Sequence, residues 1–163
     1  AVLICNPNNP TGYLYTQKEM NQIRDLVKKY NLYLFSDEVY REFIYTGSPY
    51  ISAMHLEGIE QNVILIDSVS KRYSECGIRI GALITKNESV RKTVMKFCQA
   101  RLSPPLIGQI VAEASIEGTE AYSREVYEEY LERRKTLIDG VNRIPGCYTP
   151  IPVGRSILLP SCR

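Results

Sequence analysis

Lys71 sits in S-V-S-K-R-Y-S-E-C-G-I-R-I-G, residues 68–81, where hydroxyls precede a lysine and a Gly-x-Arg-x-Gly turn follows it. A lysine set among hydroxyl, amide and guanidinium groups can act as a nucleophilic amine. Arg79 and the hydroxyls of Ser68 and Ser70 can hold a phosphate through charge-assisted hydrogen bonds. Two other stretches carry complementary groups: N-P-N-N-P-T-G at 6–12 contributes Asn9, and S-D-E-V-Y at 36–40 contributes Asp37 and Tyr40. Asp37 can pair with a protonated ring nitrogen, while Asn9 and Tyr40 can donate to a phenolate oxygen. An aldehyde for the lysine, a phosphate, a pyridinium nitrogen and a phenolate oxygen together describe pyridoxal 5′-phosphate. A lysine Schiff base with an Asp or Arg partner on the pyridinium is that cofactor's protein signature.

Each of the three stretches follows an apolar run. Residues 2–5, 32–35, 63–66 and 80–85 read as strands without clean alternation, which predicts burial on both faces, as in a parallel sheet. Thr16 and Glu19 form a T-x-x-E capping box, and Met20, Ile23, Val27 and Tyr30 follow at helical spacing. Strand, helix and strand within roughly 35 residues make a βαβ unit. Ligands of open α/β sheets bind outside the carboxyl ends of the strands. Asn9, Asp37, Tyr40, Ser68 and Lys71 are therefore expected along one edge of one sheet, with Arg79 returning toward it before the next strand. The second half reads as helical. Residues 88–102 place Val90, Val94, Phe97 and Cys98 on one face before Pro104-Pro105, and a second helix over 106–117 stops at Gly118. A third, over 120–142, has the length of a connector between two domains, and Pro145-Gly146 marks a turn into a new segment.

These motifs, in this order and spacing, resemble a class I aminotransferase of the fold-type I pyridoxal-phosphate enzymes, the aspartate aminotransferase group. The resemblance covers nearly the whole chain and weakens after Gly154. It implies an α/β fold: part of a three-layer α/β/α large domain with a mostly parallel sheet over residues 1–135, then the start of a small domain over 136–163. It also implies roles. Lys71 is then the internal-aldimine lysine and the catalytic acid–base, and Asp37 binds the pyridine nitrogen. Tyr40 and Asn9 bind the O3′ oxygen, and Ser68 and Arg79 bind the phosphate with Ser70 as a weaker candidate. The family often has a cis Asn-Pro bond in the first motif, which is expected here at Asn9-Pro10. The implied reaction transfers an amino group between an amino acid and a 2-oxo acid, with aspartate and 2-oxoglutarate the first substrate guess, in a homodimer.

Those motifs serve the cofactor and leave the fate of the substrate carbanion open, so a C–S lyase or an aminocyclopropane-carboxylate-synthase-like enzyme is the alternative. A catalytically inactive fragment is another. The family's upstream glycine-rich phosphate turn, its ring-stacking aromatic and its downstream carboxylate-binding arginine are not found in this sequence. The opening A-V-L-I-C reads as mid-strand, and the ending R-S-I-L-L-P-S-C-R departs from the family, so the expectation is a piece of a larger protein with a truncated or frame-shifted tail.

Other residues have plainer readings. Asn6 and Asn8 are expected as turn formers, Gly12 as a hinge, and Gly77 and Gly81 as sites of close backbone turning. Glu38 and Arg72 read as structural, His55 as incidental, Cys76 as a small packing residue, and the tyrosines of the long helix as core and interface residues. The 163 residues are enough for a domain with a real core, and 44% hydrophobic with 23% charged residues is ordinary for a globular chain. A net charge of +2 without a basic block gives nucleic-acid binding no electrostatic support, and no apolar run reaches a membrane span. The five cysteines are widely spaced without a C-x-x-C pattern, so no metal is expected and a reducing cytoplasm is the simplest compartment.

Overall fold

The computed structural model describes residues 1–117, 120–151, 153–154 and 161–162. Four strands, β1 (Val2–Cys5), β2 (Leu34–Asp37), β3 (Val63–Ser68) and β4 (Gly81–Ile84), form one sheet in sequential order. The first three are parallel and β4 is antiparallel to β3, so the sheet is mostly parallel as expected. Between β3 and β4 lie the four-residue helix α2 (Val69–Arg72) and the turn that follows it.

Helix α1 (Gln17–Tyr30) supplies the crossover between β1 and β2. Its capping box forms in full: Glu19 N–H donates to Thr16 Oγ1 at 3.3 Å, and Thr16 N–H donates to Glu19 Oε2 at 2.8 Å. Two of the orphan donors at the helix start are thereby satisfied. Met20 and Val27 are fully buried against Ile4, Leu34 and Val63, one residue from each parallel strand. The short 3-10 turn Ala53–His55, with Leu56 and Ile59, completes that core.

Two boundaries differ from the apolar runs. Residues 32 and 33 precede β2 because Leu32 N–H closes the end of α1 on the Val27 carbonyl at 3.0 Å. At the other end the ladders run on into polar residues, pairing Cys5 with Asp37, Asp67 with Ala82 and Ser68 with Gly81. Backbone pairing is indifferent to side-chain polarity, which the apolar runs alone cannot reveal.

Three helices follow: α3 (Glu88–Arg101), α4 (Leu106–Glu117) and α5 (Glu120–Asn142). Helix α3 has the expected stripe but no buried residue; Phe97 is 72% exposed. All of β4 is exposed as well. Gly108 of α4 lies against the turn before β4, where an added Cβ would stand 2.9 Å from the Ile78 carbonyl oxygen. The tyrosines of α5 do pack: Tyr130 meets Phe43 edge-on at 5.6 Å, and the Tyr127 hydroxyl donates to the Ile44 carbonyl at 3.1 Å. A two-stranded ladder, β5 (Cys147–Tyr148) with β6 (Ser161–Cys162), stands apart from the main sheet. The expected helix stop at Gly118 and the segment 155–160 lie outside the described residues.

Candidate functional site

The carboxyl ends of β1, β2 and β3 lie side by side because the rungs Cys5↔Asp37 and Asp37↔Ile66 close both parallel ladders. The loop after β1 is held from below. Asn6 is fully buried, donating from Nδ2 to the Ile51 carbonyl at 3.2 Å and accepting the Tyr15 N–H on Oδ1 at 3.2 Å. It is a buried brace, more than the turn former its sequence context suggests. Asn8 does form the turn, with Oδ1 accepting from Thr11 N–H at 3.3 Å and from the Thr11 hydroxyl at 2.7 Å. Gly12 takes φ +68°, and its carbonyl accepts from Gly154 N–H at 2.8 Å, so the chain beyond α5 threads onto this loop. Gly154 must be small there, since a Cβ would stand 2.7 Å from Pro7 Cβ. Asn9-Pro10 is cis, as expected, and so is Asn6-Pro7. The loop presents Asn9, whose Nδ2 donates to the Tyr40 hydroxyl at 3.1 Å.

The second stretch is anchored by alternate residues. Ser36 and Glu38 are buried, and Glu38 Oε1 accepts from the Ser36 hydroxyl at 3.0 Å and from Ala53 N–H at 2.9 Å. This fixes Glu38 as structural and leaves Asp37 between them at the ladder's end, its Oδ1 accepting Val39 N–H at 3.2 Å. Burial, and then the Glu38 carboxylate, push the Tyr50 hydroxyl far above the ordinary tyrosine range. Burial likewise raises the Cys5 thiol, opposed by the Asn9 backbone and reinforced by Asp37.

In the third stretch Ser68 caps α2: its Oγ accepts Ser70 N–H at 3.1 Å and lies 2.8 Å from Ser70 Oγ. Ser68 Oγ also donates to the Ile80 carbonyl at 2.9 Å, which ties α2 to the start of β4. Lys71 Nζ sits 5.9 Å from the Tyr40 ring centroid and 3.9 Å from Cys76 Sγ. Cys76 is exposed, so it is no packing residue. Ser74 and Arg79 hold left-handed backbone at φ +57° and +61°, a conformation costing a side-chain-bearing residue about 1–2 kcal/mol. Gly81 makes the expected close turn, with a Cβ meeting the Asp67 carbonyl oxygen at 3.1 Å, whereas Gly77 faces open space.

Direct contacts thus gather Asn9, Tyr40 and Lys71, and separately Ser68 and Ser70; Asp37 lies on the adjacent strand end. Arg79 donates to the Cys76 carbonyl at 2.9 Å, and Cys76 Sγ in turn lies 3.1 Å from the Ser70 carbonyl. The edge therefore presents an amine, a carboxylate acceptor, amide and phenol donors and a hydroxyl pair. Its sequence reading missed a charge cluster. Asp67 Oδ2 pairs with Arg41 at 2.9 Å and Arg72 at 3.1 Å, and Arg72 Nε reaches Glu42 at 3.3 Å. The one available signal is adjacency: each arginine directly follows a candidate residue, Tyr40 or Lys71.

Comparison with known proteins supplies a family. The family model for aminotransferase class I and II matches residues 1–159. An aspartate aminotransferase of Bacillus subtilis is 27% identical over 164 aligned residues, covering 100% of this chain and 42% of that protein. The crystal structure of an aspartate aminotransferase from Rhizobium meliloti superposes with a TM-score of 0.89 at 25% identity, over 99% of this chain and 41% of that one. An alanine aminotransferase structure from Pyrococcus furiosus gives 0.84 at 32% identity, over 93% and 39%. The chain spans about two fifths of the length of the relatives it matches. Among the described residues no helix is long and apolar enough to cross a membrane.

Proposed function

This chain belongs to the class I and II aminotransferase family, and we propose that the protein containing it is a pyridoxal-phosphate-dependent transaminase with Lys71 as its reactive amine. The observation that carries the reading is the convergence of Lys71, Tyr40 and Asn9 at the carboxyl edge of the sheet, beside Asp37. The residues fit the cofactor by donor type. Asp37 is an acceptor for a protonated ring nitrogen, Asn9 and Tyr40 are donors for the ring oxygen, and Ser68, Ser70 and Arg79 are donors for the phosphate. Bound there, pyridoxal phosphate would supply an electron sink for the substrate's α-carbon electrons.

Lys71 has two tasks in this proposal: it attaches the cofactor covalently, and once released it moves a proton to and from the substrate α-carbon. Asp37 would accept the hydrogen bond of a protonated ring nitrogen. The bond from Asn9 Nδ2 to the Tyr40 hydroxyl holds the two side chains together before any ligand arrives, and such preorganisation lowers the cost of binding. Substrates are an amino acid and a 2-oxo acid, with aspartate and 2-oxoglutarate first on the strength of the aspartate aminotransferase relatives. We place the enzyme in the cytoplasm as a homodimer, with its large domain reaching residue 135 and its small domain beginning at 136. Full-length enzyme given aspartate and 2-oxoglutarate is expected to form glutamate. Pyruvate and ammonia released from a thioether amino acid such as cystathionine, with no glutamate formed from aspartate, would mean a C–S lyase and contradict transamination.

A further inference from the structure

We propose that Asp67 is a positioning residue for this cofactor edge: its shared pairing with Arg41 and Arg72 sets the segment that leaves β2 through Tyr40 against the helix bearing Lys71. This rests on the pyridoxal-phosphate reading above. The β2–β3 ladder ends at Asp37↔Ile66, extended by one bond from Glu38 N–H to the Ile66 carbonyl at 3.0 Å. Past that rung the strands part, because β3 continues in pairing with β4 while the chain after β2 turns away through Tyr40. The charge cluster spans that parting. Asp67 accepts from Arg41 at 2.9 Å on one side and from Arg72 at 3.1 Å on the other, and Glu42 closes the ring at 3.3 Å from Arg72 and 3.6 Å from Arg41.

The sequence positions make the cluster a gauge for the site. Arg41 follows Tyr40, Arg72 follows Lys71, and Asp67 precedes Ser68, so each charge is one residue from a proposed cofactor contact. Helix α2 has four residues, too few to persist by its own hydrogen bonds. Its start is capped by Ser68 and its end is tied back by Arg72 to Asp67, whose Oδ1 also accepts Ser68 N–H at 2.8 Å. The side chains of Asp67, Arg41 and Arg72 are only 14%, 25% and 21% exposed, so salt screens them less than surface pairs. Without the Asp67 carboxylate only Glu42, at 3.3 and 3.6 Å, would be left to balance two guanidiniums across the gap.

The test uses the full-length protein with Asp67→Asn and Arg72→Gln, and Glu88→Gln as a control on an exposed pair of α3. Pyridoxal phosphate is titrated into each cofactor-free protein, at a temperature where circular dichroism shows it fully folded. The visible absorption of the bound cofactor is then titrated with pH. Both cluster variants should raise the cofactor Kd by about 10- to 100-fold, the size of loss seen when a residue supporting a metal ligand is removed. The pH titration should move down in Asp67→Asn, where unbalanced positive charge disfavours a protonated cofactor, and up in Arg72→Gln. A merely structural Asp67 would lower thermal stability and move neither quantity. If Kd or the titration stays at the unaltered protein's value in both variants, the positioning role is overturned. If Asp67→Asn does not fold, Arg72→Gln decides, since it leaves the Arg41–Asp67 pair in place. An unaltered protein that takes up no cofactor would overturn the underlying reading, and the role with it.

Discussion

Helices α1 and α3 are both 14 residues long, both begin at a side-chain cap, and both carry an apolar stripe, yet only one is buried. Helix α1 seals Met20 and Val27 completely against three parallel strands. Helix α3 buries nothing, and its neighbour β4 is exposed along its length. The contrast teaches that an amphipathic pattern declares a face without declaring what covers it. It also divides the molecule by function. The candidate amine, ring-side groups and charge cluster stand on the half that closes its own core, while the turn before β4 packs on Gly108 and the stretch through Phe43 and Ile44 meets α5.

That division can be broken by mutation. In this chain, Met20→Ala should cost about 2–5 kcal/mol in urea unfolding, as removal of a fully buried side chain does, and Phe97→Ala about 0.5 kcal/mol or less. Equal losses would erase the distinction. A titration then sharpens it, because Tyr50 belongs to the closed half. Below about pH 10 the folded and unfolded chains both keep the tyrosine proton, so the raised value has no effect. Above it the unfolded chain releases the proton and the folded one holds it, so stability should fall by about 1.4 kcal/mol per pH unit. Tyr50→Phe should remove this component, read as a flatter alkaline limb of the thermal midpoint against pH. Smaller than the core loss is the cap: Thr16→Ala should cost about 1 kcal/mol in the same urea measurement, because Glu19 N–H loses its Thr16 Oγ1 acceptor while the backbone arm from residue 16 to Glu19 stays.

Much of the closed half was legible because its signals are local. The T-x-x-E box, the helical spacing after it and three apolar runs with polar termini suffice for a βαβ unit and a parallel sheet. The direction of β4 was not legible, since an apolar run carries no arrow. At the site, motif residues could be placed on one edge, but the Asn9–Tyr40 bond depends on how two loops curl, as does the turning of Arg79 onto Cys76. Asn6 and Asp67 were missed for a common reason. A polar residue beside an apolar run looks like a turn or a surface charge until its partners, distant in sequence, are seen: Ile51 for Asn6, and Arg41 for Asp67.

The central claim is that Lys71 is the amine that takes up pyridoxal phosphate, and borohydride trapping tests it most directly. The full-length protein loaded with cofactor is reduced, digested and mapped by mass spectrometry. The label should fall on Lys71, and Lys71→Ala should abolish both the trapped adduct and transamination. A label recovered on another lysine, or undiminished in Lys71→Ala, would contradict the account.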